Sequence, residues 1–442
     1  MRRVLSIMLT GLAASIAPPA IMAAQGQPPA APAAQADPRA VVAQVRRILA
    51  ERYVLPERRP ALDAILARGL AAGRYDVSDP ATLADRISSD LAEAGNDKHL
   101  GFSYNPQQAA MLSRQPEGGP PNPEIFRSMA RANNHGVSEL RVLPGNIRYM
   151  NYTSFMWTGP DSAAALERAM RFLADGDAVI IDLRYNGGGS PAAVQYIVSH
   201  FLPPDRPLVE FHMGGQPEPD RLSTLAELPA GRMIGKPLYV LTSRGSASAA
   251  EEFTGHVAGF RLGETVGATT AGAAFRNELV PVAGGYVLSV SVGRPVLAAT
   301  GGDWEATGIA PTVPADVERA LDVAQLHALR RLAAEGPEPQ RAQRGALAEA
   351  VAARLEPRAP ARRLDAYAGR FGIRRVTAED GRLFYQVEDR PRIALIPLGG
   401  DRFALESSPG TRLDFEASDG IARAISLGPA GGPPQGRYER TP

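Results

Sequence analysis

Leu238–Phe260 reads LYVLTSRGSASAAEEFTGHVAGF, and the way it divides decides the fold. A short apolar, strand-like run is followed by a turn of Gly and Ser, and then by a helix-like run opened by Ser248. A strand that hands over to a helix in this way leaves the turn at the carboxyl edge of a sheet. Unpaired backbone N–H groups and the positive end of the helix dipole lie beside it. That setting suits a nucleophile. The same residues also read as a helix cap, because Ser248-Ala249-Ala250-Glu251 fits the Ser-x-x-Glu capping box. On this stretch alone both readings stand.

Upstream, Ala178–Leu183 (AVIIDL) is almost wholly apolar, as a strand covered on both faces should be. Asn186-Gly187-Gly188-Gly189 makes a turn, and Pro191 suits the first turn of a following helix. A strand-like run from Ile147 to Phe155 and a helical run from Ser162 to Ala174 precede them. Serial strand-turn-helix units predict an α/β core with a partly parallel sheet. Between 261 and 316 short strands alternate with Gly-rich loops, Tyr286 to Val292 being the clearest, and a helix from Ala315 to about Ala334 closes the core. From Arg39 to about Ala94 the apolar residues recur at helical spacing, which predicts a small N-terminal bundle. His99 then sits where a polar turn meets a strand, and residues 105–136 read as a surface excursion. Residues 335–362 read as a linker with one helical stretch. Period-2 alternation over 363–428 predicts a separate small antiparallel β domain, and 429–442 read as a disordered tail.

The chain opens on Met1-Arg2-Arg3, an apolar run to Met22 and small residues at Ala23 and Ala24, the pattern of a secretory signal peptide over 1–24. A Pro/Ala-rich tether over 25–38 follows. The expected site is therefore periplasmic or secreted, with no stable membrane insertion once the leader is removed. Formal net charge is +1 over 442 residues, which gives no basic face for nucleic acid. There is no cysteine, so neither a Cys nucleophile nor a Cys-based metal site is available, and no organic cofactor or metal is called for. Nothing in the composition sets an oligomeric state.

A serine nucleophile needs a base, a group that orients the base, and two donors for the oxyanion. Of six histidines, His256 lies two turns beyond Ser248 on one helix, His200 and His327 fall in helical patterns, and His135 and His212 in loops. His99 is left as the candidate base, with a surface turn histidine as its plain alternative. Gly188 and Gly189 can bring backbone close to a substrate carbonyl, and Ala249 N–H, next to the nucleophile, is the natural second donor. The alternative is an anion-binding loop, although the sixth position of a Gly-x-Gly-x-x-Gly pattern is Ala192. Glu305, in Gly301-Gly302-Asp303-Trp304-Glu305, is an acid beside Trp and Gly that by itself reads first as a solvated loop carboxylate.

In chain order, Ile180-Ile181-Asp182-Leu183-Arg184-Tyr185-Asn186-Gly187-Gly188-Gly189, Ser246-Ala247-Ser248-Ala249-Ala250-Glu251-Glu252-Phe253, Glu264-Thr265-Val266-Gly267 and Trp304-Glu305-Ala306-Thr307-Gly308-Ile309-Ala310-Pro311 resemble the signatures of the C-terminal processing (tail-specific) serine peptidases. That superfamily also holds the tricorn core and the interphotoreceptor retinoid-binding proteins. The resemblance covers about residues 39–330 and implies a crotonase-like ββα-spiral peptidase core. It places the nucleophile on Ser248 rather than Ser246. The tail-specific branch pairs its serine with a lysine, but here Ala273 occupies that position and the only lysines are Lys98 and Lys236. The tricorn-like branch uses Ser, His and Glu, matched by Asp97-Lys98-His99-Leu100 and by Glu305, with Thr312 where Asp is usual. The resemblance thus implies acyl transfer on a peptide or protein substrate. Ser248, His99 and Glu305 are the expected triad, and Gly188 or Gly189 with Ala249 the expected oxyanion hole. Asp97 and Asp303 are alternative orienting acids. A non-catalytic binder of hydrophobic ligands or peptides on the same scaffold, and an esterase or amidase, are the rival readings.

Overall fold

A computed structural model describes residues 36–114 and 123–442. The expected leader, and the tether up to residue 35, lie outside the described residues. The tether ends earlier than its composition indicates. Asp37 accepts the Arg39 N–H at 3.0 Å and Pro38 opens helix α1 (Pro38–Arg52). With α2 (Arg59–Ala71) and α3 (Pro80–Gly95) it forms the expected bundle. Val41, Val45, Leu62, Leu66, Ile87 and Leu91 are its interior. The bundle is not free-standing. It packs on Phe102, Tyr286, Leu288 and Val290 of a five-stranded antiparallel sheet.

Helix α3 stops because Asn96 takes the left-handed conformation (φ 44°), where a short amide side chain is tolerated. The chain then turns through Asp97–His99 into β1 (Gly101–Tyr104). The region read as a surface excursion contains two helices, α4 (Pro106–Ser113) and α5 (Pro123–Ala132).

From Val137 the chain is α/β. In order come β2 (Val137–Leu143), β3 (Ile147–Tyr152), α6 (Pro160–Ala174), β4 (Ala178–Asp182), α7 (Pro191–Ser199), β5 (Pro207–Met213), β6 (Asp220–Ser223), β7 (Leu238–Thr242) and α8 (Ala249–Gly259). They are followed by β8 (Glu264–Gly267), β9 (Arg276–Val282), β10 (Tyr286–Leu297), β11 (Val313–Pro314), α9 (Ala320–Glu335) and α10 (Gln340–Leu355). Strands β11, β8, β7, β4 and β3 lie side by side and parallel, with β2 antiparallel on the edge. Every residue of β4 and β7 is buried, because α6–α8 cover one face of this sheet and α9–α10 the other.

Two boundaries need correction. The helical stretch expected within 335–362 is α10, and it belongs to the core rather than to a linker, burying Leu347, Ala348 and Val351 against α9 and the sheet. Its Arg/Ala/Glu composition hid a narrow apolar stripe. The tail at 429–442 is not disordered: β19 (Gly436–Glu439) pairs with β18. The C-terminal strands β12 (Gly369–Phe371), β13 (Arg374–Glu379), β14 (Arg382–Val387), β15 (Ile393–Gly399), β16 (Arg402–Leu405), β17 (Ser408–Ser418), β18 (Ile421–Pro429) and β19 follow one another as an antiparallel sheet. Thr441 N–H donates to the Arg370 carbonyl at 2.9 Å, which brings the last residues back to β12. Tyr438 packs against the interior and the Arg374 guanidinium lies over its ring. Arg437 pairs with Glu416 at 2.8 Å. Packed aromatics (Tyr367, Phe371, Phe403, Phe415) fill this domain.

Phe253 of α8 is fully buried against Phe155 (ring centroids 6.0 Å apart) and holds α8 on the sheet. Truncation to Phe253→Ala should cost about 3–5 kcal/mol through lost transfer energy and the cavity left behind. A thermal melt of the purified protein would show this as a clear drop in midpoint, and an unchanged melt would contradict this role for Phe253.

Candidate active site

Ser248 sits between β7 and α8 at φ 54°, ψ −119° and is half-buried. A non-glycine residue in that region carries strain of about 1–3 kcal/mol and persists only where its surroundings hold it. The holders are identifiable. Ser246, fully buried, donates its hydroxyl to the Leu183 carbonyl (2.7 Å) and accepts the Ser243 N–H (3.0 Å). Ala247 N–H reaches the Asn186 carbonyl at 3.0 Å. Ser246 therefore ties the turn to the end of β4, and Ser248 is the serine left at the surface of the cleft.

The Glu251 half of the capping box read from the sequence is present, with Glu251 Oε2 accepting the Ser248 N–H at 2.9 Å. The Glu251 carboxylate does more than cap. It is fully buried and also accepts the Thr270 hydroxyl (2.6 Å) and the N–H groups of Gly272 (2.6 Å) and Ala273 (2.8 Å). Four donors on two oxygens make a strong, charge-assisted anchor. It joins the Ser248 turn to the loop over 270–275, where Ala273 stands. Sequence reading missed this second role, because all three further donors come from a segment about twenty residues away, two of them backbone groups.

Continuing the same loop, the N–H groups of Ala274 (2.6 Å) and Phe275 (3.1 Å) donate to Glu305 Oε2, while Lys98 N–H donates to Oε1 at 3.1 Å. Glu305 is thus clamped between the 270–275 loop and the turn that carries His99. Ionisable atoms of Asp97, His99 and Glu305 all lie within 4.8 Å of one another. That spacing could also accept a metal ion, but the Glu305 oxygens already take three backbone N–H groups. Burial pushes the His99 pKa down, opposed by the charges of Asp97 and Glu251. Burial pushes Glu305 up, the charge of Asp97 adds to this, and the three backbone donors work against it. The Glu251 charge acts on His99 while its carboxylate holds the Ser248 N–H.

Asp97 Oδ1 accepts the N–H groups of His99 (2.9 Å) and Leu100 (3.2 Å) and shapes the turn. Asp303 is spent elsewhere, accepting from Arg294 (2.5 Å) and from the Glu305 N–H (2.9 Å). The other histidines have other neighbours. His135 is 2.8 Å from the Ser162 hydroxyl, His200 is 2.9 Å from the Tyr196 carbonyl and His327 is 2.6 Å from Glu264. His212 lies beside Glu210, and His256 beside Glu252. Lys236 donates to the carbonyls of Ala174 and Gly176.

The glycine turn needs one correction. Gly188 (φ 105°) lies against Ser248, since a Cβ there would come within 2.7 Å of the Ser248 Cβ and 3.1 Å of Ala249 N. Its N–H, however, is given to Asn186 Oδ1 at 2.8 Å, so Gly188 offers close approach rather than a free donor. Gly189 is exposed beside it and lines the same cavity as Ser248 and Ala249. Among the described residues no acceptor takes the N–H of Gly189 or of Ala249.

If the Glu251 anchor holds Ser248 in its strained conformation, Glu251→Gln should relax it, because an amide NH₂ would face N–H groups that need an acceptor. Phosphonylation of Ser248 by a fluorophosphonate should slow by about 10²-fold or more, a loss comparable to that of one oxyanion donor, with the melting temperature also lowered. An unchanged labelling rate would contradict the anchor's role.

Residues 146–315 match the profile of peptidase family S41, and residues 32–135 match the N-terminal domain of peptidase S41 in eukaryotic IRBP. The carboxy-terminal processing protease CtpB of Bacillus subtilis (strain 168) is 28% identical over 179 residues, 40% of this chain and 35% of that protein. The matched segment spans about a third of the length of that relative. Among solved structures, mature CPAF aligns with 68% of this chain and 99% of its own (12% identity, TM-score 0.46). The photosystem II D1 C-terminal processing protease aligns with 64% and 94% (18%, 0.43), and the tricorn protease with 71% and 37% (12%, 0.39). The two family matches lie in tandem along the chain and place residues 32–135 and 146–315 in the peptidase S41 superfamily.

Proposed function

We propose that this protein is an exported serine peptidase that cleaves peptide or protein substrates by acyl transfer, with Ser248 as nucleophile, His99 as general base and Glu305 as the acid that orients the imidazole. The observation that carries this reading is the continuous set of hydrogen bonds from Ser248 N–H through Glu251 to the 270–275 loop and on to Glu305 beside His99. The leader-like residues 1–24 support export.

Burial lowers the His99 pKa and so favours the neutral imidazole that a base needs. It takes the Ser248 hydroxyl proton as Oγ attacks the carbonyl carbon. The N–H groups of Gly189 and Ala249 receive the developing oxyanion at the positive end of α8. The imidazolium, stabilised by Glu305, gives its proton to the leaving amine, and water then repeats the sequence on the acyl-enzyme. A Ser-Lys mechanism has no lysine to use, because Ala273 occupies that place and both its neighbours and its own N–H serve Glu251 or Glu305.

Ser248→Ala and His99→Ala should each abolish fluorophosphonate labelling and reduce peptide hydrolysis by at least about 10⁴-fold. A binder, or a lipid carrier on this scaffold, would show neither labelling nor turnover in the wild type. Comparison of peptide with p-nitrophenyl ester substrates separates a peptidase from an esterase, the peptidase reading requiring peptide turnover.

The acid limb of kcat/KM reports the free base. Burial places it below the ordinary histidine value of 6.5, and activity should rise with pH through that limb as His99 loses its proton. The Asp97 charge favours imidazolium, so Asp97→Asn should move the limb to still lower pH. A limb that stays put, or moves upward, would contradict the electrostatic assignment.

A further inference from the structure

Beside Ser248 lies a cavity of about 180 Å³, the volume of about six waters, which is room for one side chain. Phe211 and Trp304 wall it, Arg276 stands exposed at its rim, and Glu252 lines it from α8. Glu252 is four residues beyond Ser248, so the two share a helix face one turn apart. It is only 3% exposed, and no part of the mechanism uses it. Among the described residues the cation source within 4.0 Å of its carboxylate is His256, one turn deeper and fully buried, with its Nε2 3.7 Å from Glu252 Oε1. That separation exceeds a hydrogen bond, and both ring nitrogens of His256 lack a hydrogen-bond partner.

The geometry points to this cavity as the primary specificity pocket and to Glu252 as its selecting residue, which favours a substrate residue with a cationic side chain, lysine or arginine, at the attacked carbonyl. Naming the occupant as a substrate side chain rests on the peptidase reading above. A buried carboxyl short of donors is costly when left alone and gains most from a partner that brings both charge and N–H groups. Burial pushes the Glu252 pKa up, which disfavours a lone carboxylate there, and His256 acts the other way. The methylene stem of a lysine would lie along Phe211 and Trp304, whose ring faces also attract a cation. Arg276 at the open rim is solvated and screened, so it weakens this preference little. Trp304 Nε1–H is buried without an acceptor, which would also suit a glutamine side chain, and that occupant is made an outcome of the test.

The test has a binding arm and a turnover arm. In Ser248→Ala protein, which cannot turn over, fluorescence titration with p-aminobenzamidine should show saturable binding. Adding Glu252→Gln or the apolar, similarly sized Glu252→Met should weaken it at least ten-fold. In the wild type, matched peptides with Lys, norleucine, Gln or Glu at the attacked residue should give a Lys-to-norleucine ratio of kcat/KM above ten, and this ratio should collapse towards one in both Glu252 variants. Equal amidine binding with and without Glu252, a ratio unmoved by its replacement, or preference for Gln or Glu would overturn the assignment. Wild-type protein that cleaves no peptide while Ser248→Ala binds the amidine through Glu252 would instead sink the peptidase reading and leave the pocket standing.

Discussion

One buried carboxylate organises the cleft. Glu251 takes the N–H of Ser248 and three donors from the 270–275 loop, so the two segments share one acceptor. An anion with this many donors is stabilised where a bare charge would not be. Because the oxygens are shared between two segments, the strained serine and the loop are set by one group. The loop then passes the constraint on, since the next two N–H groups along it fix Glu305.

The fold delivers the remaining parts from separate directions. Strands β4 and β7 are neighbours in the parallel sheet, so the glycine turn after one and the serine turn after the other meet at the same carboxyl edge. Asn186 locks that meeting, bonding the Tyr152 carbonyl and the Gly188 N–H with its side chain. His99 arrives on the turn between α3 and β1, held by Asp97 and by Ser289, whose hydroxyl donates to the His99 carbonyl. The N-terminal bundle is thus part of the cleft's support, since the residue that would serve as base is placed by the junction between bundle and sheet.

Much of this was legible from local pattern. The apolar run of β4, the glycine turn, the Ser-x-x-Glu box and the Asp97–Leu100 turn are each short, contiguous signals, and their order along the chain carried the family. The distinction between Ser246 and Ser248 came from that resemblance, and the structure adds the reason: the Ser246 hydroxyl is consumed inside the turn. What could not be read depends on contacts across the chain. The second role of Glu251 needs the 270–275 loop folded against it, and the loss of Gly188 as a donor needs the Asn186 side chain curled back on its own turn. The packing of α10 and the pairing of β19 do not show in the sequence, because their apolar stripes are narrow and their charges are paired in three dimensions, as in Arg344 with Asp177 and Arg437 with Glu416.

A crystal structure of the protein phosphonylated on Ser248 bears most directly on the claim that one constellation joins serine, imidazole and acid. It should show the phosphoryl oxygen within about 3 Å of the N–H groups of Gly189 and Ala249, one His99 ring nitrogen at similar distance from the Ser248 oxygen, and the other facing Glu305. A phosphoryl oxygen turned away from those donors, or a His99 ring that does not reach the modified serine, would contradict it.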